Sequence, residues 1–144
     1  VCDNLEDALD RSLSYIPADS DCAAAVKLAR GLVGQADGGI SIRKHYPDMS
    51  VVHTVNNLAL VVWALLSHPD DFSAAIGDVV AAGLDTDCNG ATVGALWGLQ
   101  DKTIPDFWSA PWGGNVGLSL AGTDTVNVAE LIDRTVAVTV NLSE

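Results

Sequence analysis

Two aspartates one residue apart, Asp85 and Asp87, are the residues of this chain best suited to chemistry. They end a loop, and a segment rich in glycine and alanine begins directly after them. Carboxylate oxygens in a short acidic run are the ligands that Mg²⁺, Mn²⁺ and Ca²⁺ take in proteins. The spacing therefore predicts that the two carboxylates converge on a common point, where they would hold one divalent cation.

The first known motif to compare is the EF-hand calcium loop, because Asp85-x-Asp87-x-Asn89-Gly90 copies its opening. That loop needs a bidentate glutamate at its twelfth position and a water-bridging residue at its ninth. Here those positions hold Leu96 and Val93. A calcium ion would be badly under-coordinated in such a loop, so an EF-hand is excluded.

Helix capping is a simpler explanation of the same residues. Asp and Thr at a helix start satisfy backbone N–H groups that have no partner within the helix, and a negative charge there complements the helix dipole. We expect one of these residues to cap. Two aspartates flanking Thr86 are more than a cap requires, so metal binding remains the alternative that explains both.

Three glycines in the segment that follows recur at every fourth position, namely Gly90, Gly94 and Gly98. This spacing places them on one face of a helix. Each glycine inside a helix costs about 1 kcal/mol relative to alanine. The pattern predicts a close contact with another helix along this face.

The run from Gly83 to Gly98 resembles the C-terminal metal motif of the ADP-ribosylglycohydrolase family, an Asp-Thr-Asp-Thr/Ser element followed by Asn and a small-residue helix. Weaker signatures of the bacterial members occur around it in the same order. They are Ile16-Pro17 with Ser20, His53-Thr54-Val55-Asn56-Asn57, and Ile104-Pro105 with Trp108. The resemblance therefore covers most of the chain.

For the complete protein, the resemblance implies hydrolysis of the bond between the anomeric carbon of ADP-ribose and a modified side chain or related leaving group. It also implies two divalent ions, Mg²⁺ or Mn²⁺, between this motif and an N-terminal Thr-Asp-Asp-Thr element. The matching ligand positions are Asp85, Asp87 and Cys88. No catalytic residue is identified in the chain.

Two features depart from the family pattern. No Thr-Asp-Asp-Thr element is present, so the chain resembles the C-terminal half of such an enzyme, and we expect it to be inactive alone. Cys88 stands where the family usually has Thr or Ser. A thiol is a poor ligand for Mg²⁺, so Cys88 either fills space or favours a softer ion such as Mn²⁺. The alternative is a non-catalytic structural or binding member, like the lens crystallins related to this family.

Composition excludes several other classes of function. The net charge of −12 with only seven Lys and Arg argues against nucleic-acid binding. The longest apolar run, Leu58 to Leu66, is far short of a membrane span. Three cysteines without Cys-x-x-Cys spacing argue against a disulfide framework and favour a reducing cytoplasm. The oligomeric state is left open.

Hydrophobic periodicity predicts an all-α fold of about six orthogonally packed helices in a single domain, without a substantial sheet. The predicted helices cover residues 3–15, 20–34, 51–67, 70–83 and the glycine-rich segment, and a last one starts at Thr123 or Asp124. Residues 35–50 are predicted to form a loop. This loop carries a basic trio, Arg43, Lys44 and His45. The trio either binds a diphosphate or balances the charge of nearby acidic residues.

Two polar residues at the start of the most hydrophobic helix, His53 and Asn57, lie one turn apart on the same face. Such a pair usually completes hydrogen bonds within a core. The alternative is that this face looks into the cleft of Asp85 and Asp87 and supports the metal ligands from behind, as commonly happens around metal sites.

Overall fold

The computed structural model describes residue 2 and residues 4–142, with the side chains of residues 141 and 142 outside the description. Contacts group the chain into two compact units, residues 1–103 and 104–144. The expected mostly helical fold is confirmed: the described residues form eight α-helices and one two-stranded sheet. The single domain over residues 1–144 stays a prediction.

The first unit contains six α-helices in its described residues. They are α1 (Leu5–Leu13), α2 (Asp21–Gly31), α3 (Gly38–His45), α4 (Thr54–Ser67), α5 (Phe72–Ala81) and α6 (Thr86–Gly98). Side chains cap the starts of four of them. Asn4, Ser20 and Asp71 each accept a backbone N–H three residues ahead, and His53 accepts one two residues ahead. These local signals explain why the sequence places these helices well.

Helix α4 forms the centre of the core. Its apolar run is buried on nearly all sides, and it packs against α2, α3, α5 and α6. Burying each large aliphatic side chain contributes roughly 1.5–3 kcal/mol. None of the helices in the described part of the chain has the length and hydrophobicity that crossing a bilayer requires.

The predicted loop over residues 35–50 is wrong, because α3 lies inside it and carries the basic trio in its last turn. The two glycines that suggested a loop are instead required by packing. A Cβ atom on Gly38 would lie 2.2 Å from Trp63 Nε1, and one on Gly39 would lie 2.7 Å from the Cβ of Ala82. Trp63 also donates a hydrogen bond to the carbonyl oxygen of Leu32 (3.1 Å).

The predicted glycine contact on α6 holds only in part. A Cβ on Gly90 would lie 3.4 Å from Val80 of α5, and one on Gly94 would lie 4.0 Å from Ile76. Around Gly98 a Cβ would meet nothing within 4 Å. The buried face of α6 is formed by other residues, namely Asn89, Val93 and Trp97.

The second unit contains α7 (Asp106–Ser109), a 3₁₀ turn (Ala110–Trp112), an antiparallel hairpin and α8 (Val128–Leu142). The hairpin pairs β1 (Asn115–Leu120) with β2 (Thr123–Asn127). The predicted helix start at Thr123 or Asp124 is therefore wrong. Asn127 is the true cap, since its side-chain oxygen accepts the N–H of Glu130 (3.2 Å).

Candidate metal centre

The loop between α5 and α6 carries the two aspartates through an unusual backbone path. Gly83 has φ +85°, and Leu84 also has a positive φ of 63°. The left-handed conformation costs a residue other than glycine about 1–2 kcal/mol. Asp85 follows at the N-cap position of α6 with φ −85° and ψ 71°. The surrounding structure must hold this path in place.

The side chains of Asp85, Asp87 and Cys88 meet at the start of α6. Each offers one ligand atom, and the three atoms all lie within 4.8 Å of one another. Asp85 is half-buried, while Asp87 and Cys88 are exposed. The carboxylate of Asp85 makes no capping hydrogen bond, although the residue occupies the cap position. Capping therefore does not account for Asp85.

The environment of this cluster changes two pKa values in opposite directions. A hydrogen bond with the carboxyl group of Asp85, and then hydrogen bonds from the backbone N–H groups of Cys88 and Asp87, lower the pKa of Asp87. A hydrogen bond with Asp85, together with the charges of both aspartates, raises the pKa of the Cys88 thiol. Asp87 is thus held in its charged form, and Cys88 is held as a thiol in the absence of a cation.

Asn57 of α4 lies directly behind this loop. Its side-chain oxygen accepts the backbone N–H of Asp85 (3.2 Å) and the side-chain amide of Asn89 (2.7 Å). Its amide nitrogen donates to the carbonyl oxygens of Val51 and His53, both at 2.8 Å. Asn57 therefore contacts one of the predicted ligand residues, Asp85, through its backbone N–H.

His53 has a more local role in the structure. It is the N-cap residue of α4, and its ring nitrogen Nδ1 accepts the N–H of Val55 (3.2 Å). The ring also lines an open cavity of about 430 Å³ beside Tyr46 and Met49. Of the predicted pair, Asn57 contacts the loop of the aspartates and His53 caps the helix that carries Asn57.

A basic groove adjoins the same loop at Leu84. Its volume is about 570 Å³, and its lining includes Arg43, Lys44 and Tyr46. The guanidinium of Arg43 donates to the carbonyl oxygen of Ala82 (3.3 Å), at the end of α5, where a positive charge complements the helix dipole. Two of the seven basic residues of this acidic chain thus line a groove that reaches the loop at Leu84.

Comparison with known protein families supplies an assignment for the whole chain. The ADP-ribosylglycohydrolase family model matches residues 2–140. The chain belongs to the ADP-ribosylglycohydrolase family. Searches of curated proteins and of solved structures found no significant match. The resemblance seen in the sequence is confirmed, and the family hydrolyses ADP-ribose conjugates.

The donor set at the start of α6 in this family member suits a divalent cation. Two carboxylate oxygens and one sulfur supply about half of the six positions that Mg²⁺ or Mn²⁺ prefers. The two carboxylate charges also outweigh the partial positive charge of the helix start, about half an elementary charge. A cation bound to the thiol would deprotonate it and so reverse the effect of the aspartates on its pKa.

Sequence reasoning missed two contacts around this loop, that of Asn89 with Asn57 and that of Arg43 with Ala82. Asn89 lies on the buried face of α6 and joins Asn57. A signal for it was present, since a third asparagine in an otherwise apolar core needs a polar partner. Arg43 was singled out as part of the basic trio, but no local signal predicts its contact with Ala82, which lies 39 residues away in the chain.

Proposed function

We propose that this chain supplies Asp85, Asp87 and Cys88 to a divalent-metal site in an enzyme that releases ADP-ribose from modified proteins or related conjugates. The observation that carries the proposal is the convergence of the three ligand atoms within 4.8 Å at the start of α6. The family match over residues 2–140 supplies the reaction class. The metal is Mg²⁺ or Mn²⁺, in a two-ion site.

The remaining ligands come from a Thr-Asp-Asp-Thr element of the kind that the family carries. No such sequence occurs among the 144 residues. Three donor atoms fill only about half of the coordination shell of a single ion and leave the rest to water. The isolated chain is therefore expected to bind a divalent ion weakly and to be inactive.

The chemistry follows from this division of ligands. Divalent ions can orient an attacking water and stabilise the charge that develops as the glycosidic bond breaks. On this chain, Asp85 and Asp87 would hold the ion that stabilises this charge, and the pKa of Asp87 is lowered by its hydrogen bonds. A carboxyl group that transfers the proton comes from the complementary part of the site.

The basic groove supports the same substrate class. ADP-ribose carries a diphosphate, and Arg43 and Lys44 line a groove that reaches the metal loop at Leu84. The chain as a whole is strongly acidic, with a net charge of −12. A substrate with two phosphate groups would therefore be attracted to this side of the loop more than to the rest of the surface.

The test combines a hydrolysis assay on ADP-ribosylated protein with calorimetric Mn²⁺ titration. The proteins compared are this chain, the chain with a Thr-Asp-Asp-Thr-bearing partner segment, and the Asp87→Ala variant of that complete form. We expect turnover and tight Mn²⁺ binding only in the complete form. Asp87→Ala should abolish both while leaving the helical circular dichroism unchanged, because the side chain is exposed and outside the core.

Asp19→Ala is the matched control, since it removes an exposed carboxylate from a turn remote in sequence from the cluster. It should leave turnover and Mn²⁺ affinity unchanged. Robust turnover by this chain alone, or full activity of the Asp87→Ala protein, would overturn the assignment. A complete form that folds but neither binds Mn²⁺ nor hydrolyses its substrate would favour the non-catalytic alternative.

A further inference from the structure

The three buried polar side chains of the described residues are all asparagines, and they form one connected network. Asn56, Asn57 and Asn89 are 1%, 8% and 3% exposed. Asn57 is the member that joins the others, because its amide nitrogen lies 3.1 Å from Asn56 Oδ1 and its oxygen 2.7 Å from Asn89 Nδ2. A buried amide is retained only where it is satisfied, and this one has partners on both sides.

The surroundings of Asn57 also fix which way its amide points. One side faces two donors, the backbone N–H of Asp85 and the amide of Asn89. The other side faces the carbonyl oxygens of Val51 and His53. Exchanging oxygen and nitrogen would set donor against donor and acceptor against acceptor, so a single orientation satisfies the site.

The bond to Asp85 acts at the point where the backbone is strained. Leu84, the preceding residue, has a φ of 63°, a conformation that persists in a residue other than glycine only where neighbouring structure enforces it. Asn57 holds the N–H of Asp85 immediately after that residue. It thereby fixes the position from which the Asp85 carboxylate reaches Asp87 and Cys88.

We infer that Asn57 is a positioning residue for the metal centre. It acts through the backbone of Asp85 and through Asn89, and it does not itself supply a ligand. The inference rests on the proposed function, because it concerns ions held by the same three side chains. Groups that orient metal ligands typically change metal affinity by about 10–100-fold when they are removed.

The test compares Asn57→Ala with Asn56→Ala. Both asparagines are buried and both bond to the segment before α4, Asn56 through the carbonyl oxygen of Ser50 (3.0 Å), but only Asn57 bonds directly to Asp85 and Asn89. Mn²⁺ affinity is measured by paramagnetic resonance below the melting temperature of each variant. Amide hydrogen exchange at Asp85 gives a second readout that does not involve the metal.

Asn57→Ala is expected to weaken Mn²⁺ binding by about tenfold or more and to remove the exchange protection of the Asp85 amide. Asn56→Ala should change the affinity by no more than about twofold, even where it destabilises the fold to the same extent. Equal losses in both variants, or unchanged affinity in Asn57→Ala, would overturn the inference. A wild-type protein that binds no Mn²⁺, either alone or with the Thr-Asp-Asp-Thr-bearing segment, would instead count against the proposed function.

If Asn57→Ala does not fold, Asn89→Ala is compared with the wild-type protein instead. It removes the 2.7 Å contact from α6 to Asn57 and leaves residues 50–57 unaltered. A severalfold loss of Mn²⁺ affinity with a retained melting transition supports the positioning role. Wild-type affinity in a folded Asn89→Ala protein contradicts it.

Discussion

Cys88 supplies the one sulfur atom among the three potential ligand atoms at the start of α6. Its sulfur lies within 4.8 Å of the ligand oxygens of Asp85 and Asp87, so it is placed to take part in coordination. Both aspartates raise the pKa of its thiol, which favours the protonated form until a cation is present. A sulfur ligand in this position disfavours Mg²⁺ relative to softer divalent ions.

Cys88→Ser is predicted to shift the preference of the site from Mn²⁺ towards Mg²⁺. The hydroxyl group is a harder donor of similar size, so we expect the ratio of the two affinities to change by about tenfold, or about 1.4 kcal/mol. Competition titration with both ions measures this ratio. Cys22→Ser in α2 is the control and should leave it unchanged. An identical ratio in wild type and Cys88→Ser would show that the sulfur only fills space.

At the residue scale, the sequence predicts the proximity of Asp85, Asp87 and Cys88 better than it predicts the contacts around them. The proximity of Asp85, Asp87 and Cys88 follows from their spacing at one helix start, which is local information. For Asn57 the sequence leaves two roles open, hydrogen bonding within the core or support for the metal ligands. Its bond to Asp85 spans 28 residues, and its orientation depends on carbonyl groups at the turn before α4. Such contacts exist only after the helices have packed.

Among the elements, the same distinction separates the helices that the sequence predicts from those it does not. Helices α1, α2, α4 and α5 carry their own hydrophobic pattern and a side-chain cap, whereas α6 is predicted from the spacing of its glycines. Helix α3 begins with Gly38 and Gly39, which a local reading takes for a loop. Their value lies in accommodating Trp63 of α4, and no local pattern reports that contact.

Two glycine-to-alanine substitutions are predicted to change stability in opposite directions. At Gly38 the new Cβ would lie 2.2 Å from Trp63 Nε1, so Gly38→Ala should destabilise the protein by about 1–3 kcal/mol. At Gly94 the nearest atom is 4.0 Å away, so Gly94→Ala should stabilise α6 by up to about 1 kcal/mol. Urea denaturation measures both. Loss of stability in Gly94→Ala would mean that this face is more tightly packed than the distances indicate.

For the molecule as a whole, the core lies in one part of the chain. Every buried hydrophobic side chain of the described residues lies between Ala25 and Trp97. Residues 104–144 form their own compact unit around a hairpin and α8, several of whose valines are exposed. The first unit therefore contains all of the buried apolar side chains that the described residues provide.

A chain ending at Thr103 is predicted to keep a cooperative thermal transition. Because the buried side chains are retained, the melting temperature should fall by no more than about 5 °C, which corresponds to roughly 1 kcal/mol for a domain of this size. Circular dichroism at increasing temperature measures the transition. A broad, non-cooperative melt of residues 1–103 would show that the second unit is needed for folding.

The hydrogen bond between Asn57 and the backbone of Asp85 has a consequence for how fast the protein is degraded in the cell. Helix α4 carries both the centre of the core and Asn57, so any ion held by the native loop would be released when the core unfolds. Free ion at a hundred times its dissociation constant would add about 2.7 kcal/mol to the free energy of unfolding and reduce the unfolded population about a hundredfold. Proteases act on that population. Metal supply would then set how long each copy survives, and copies without an ion would be degraded first.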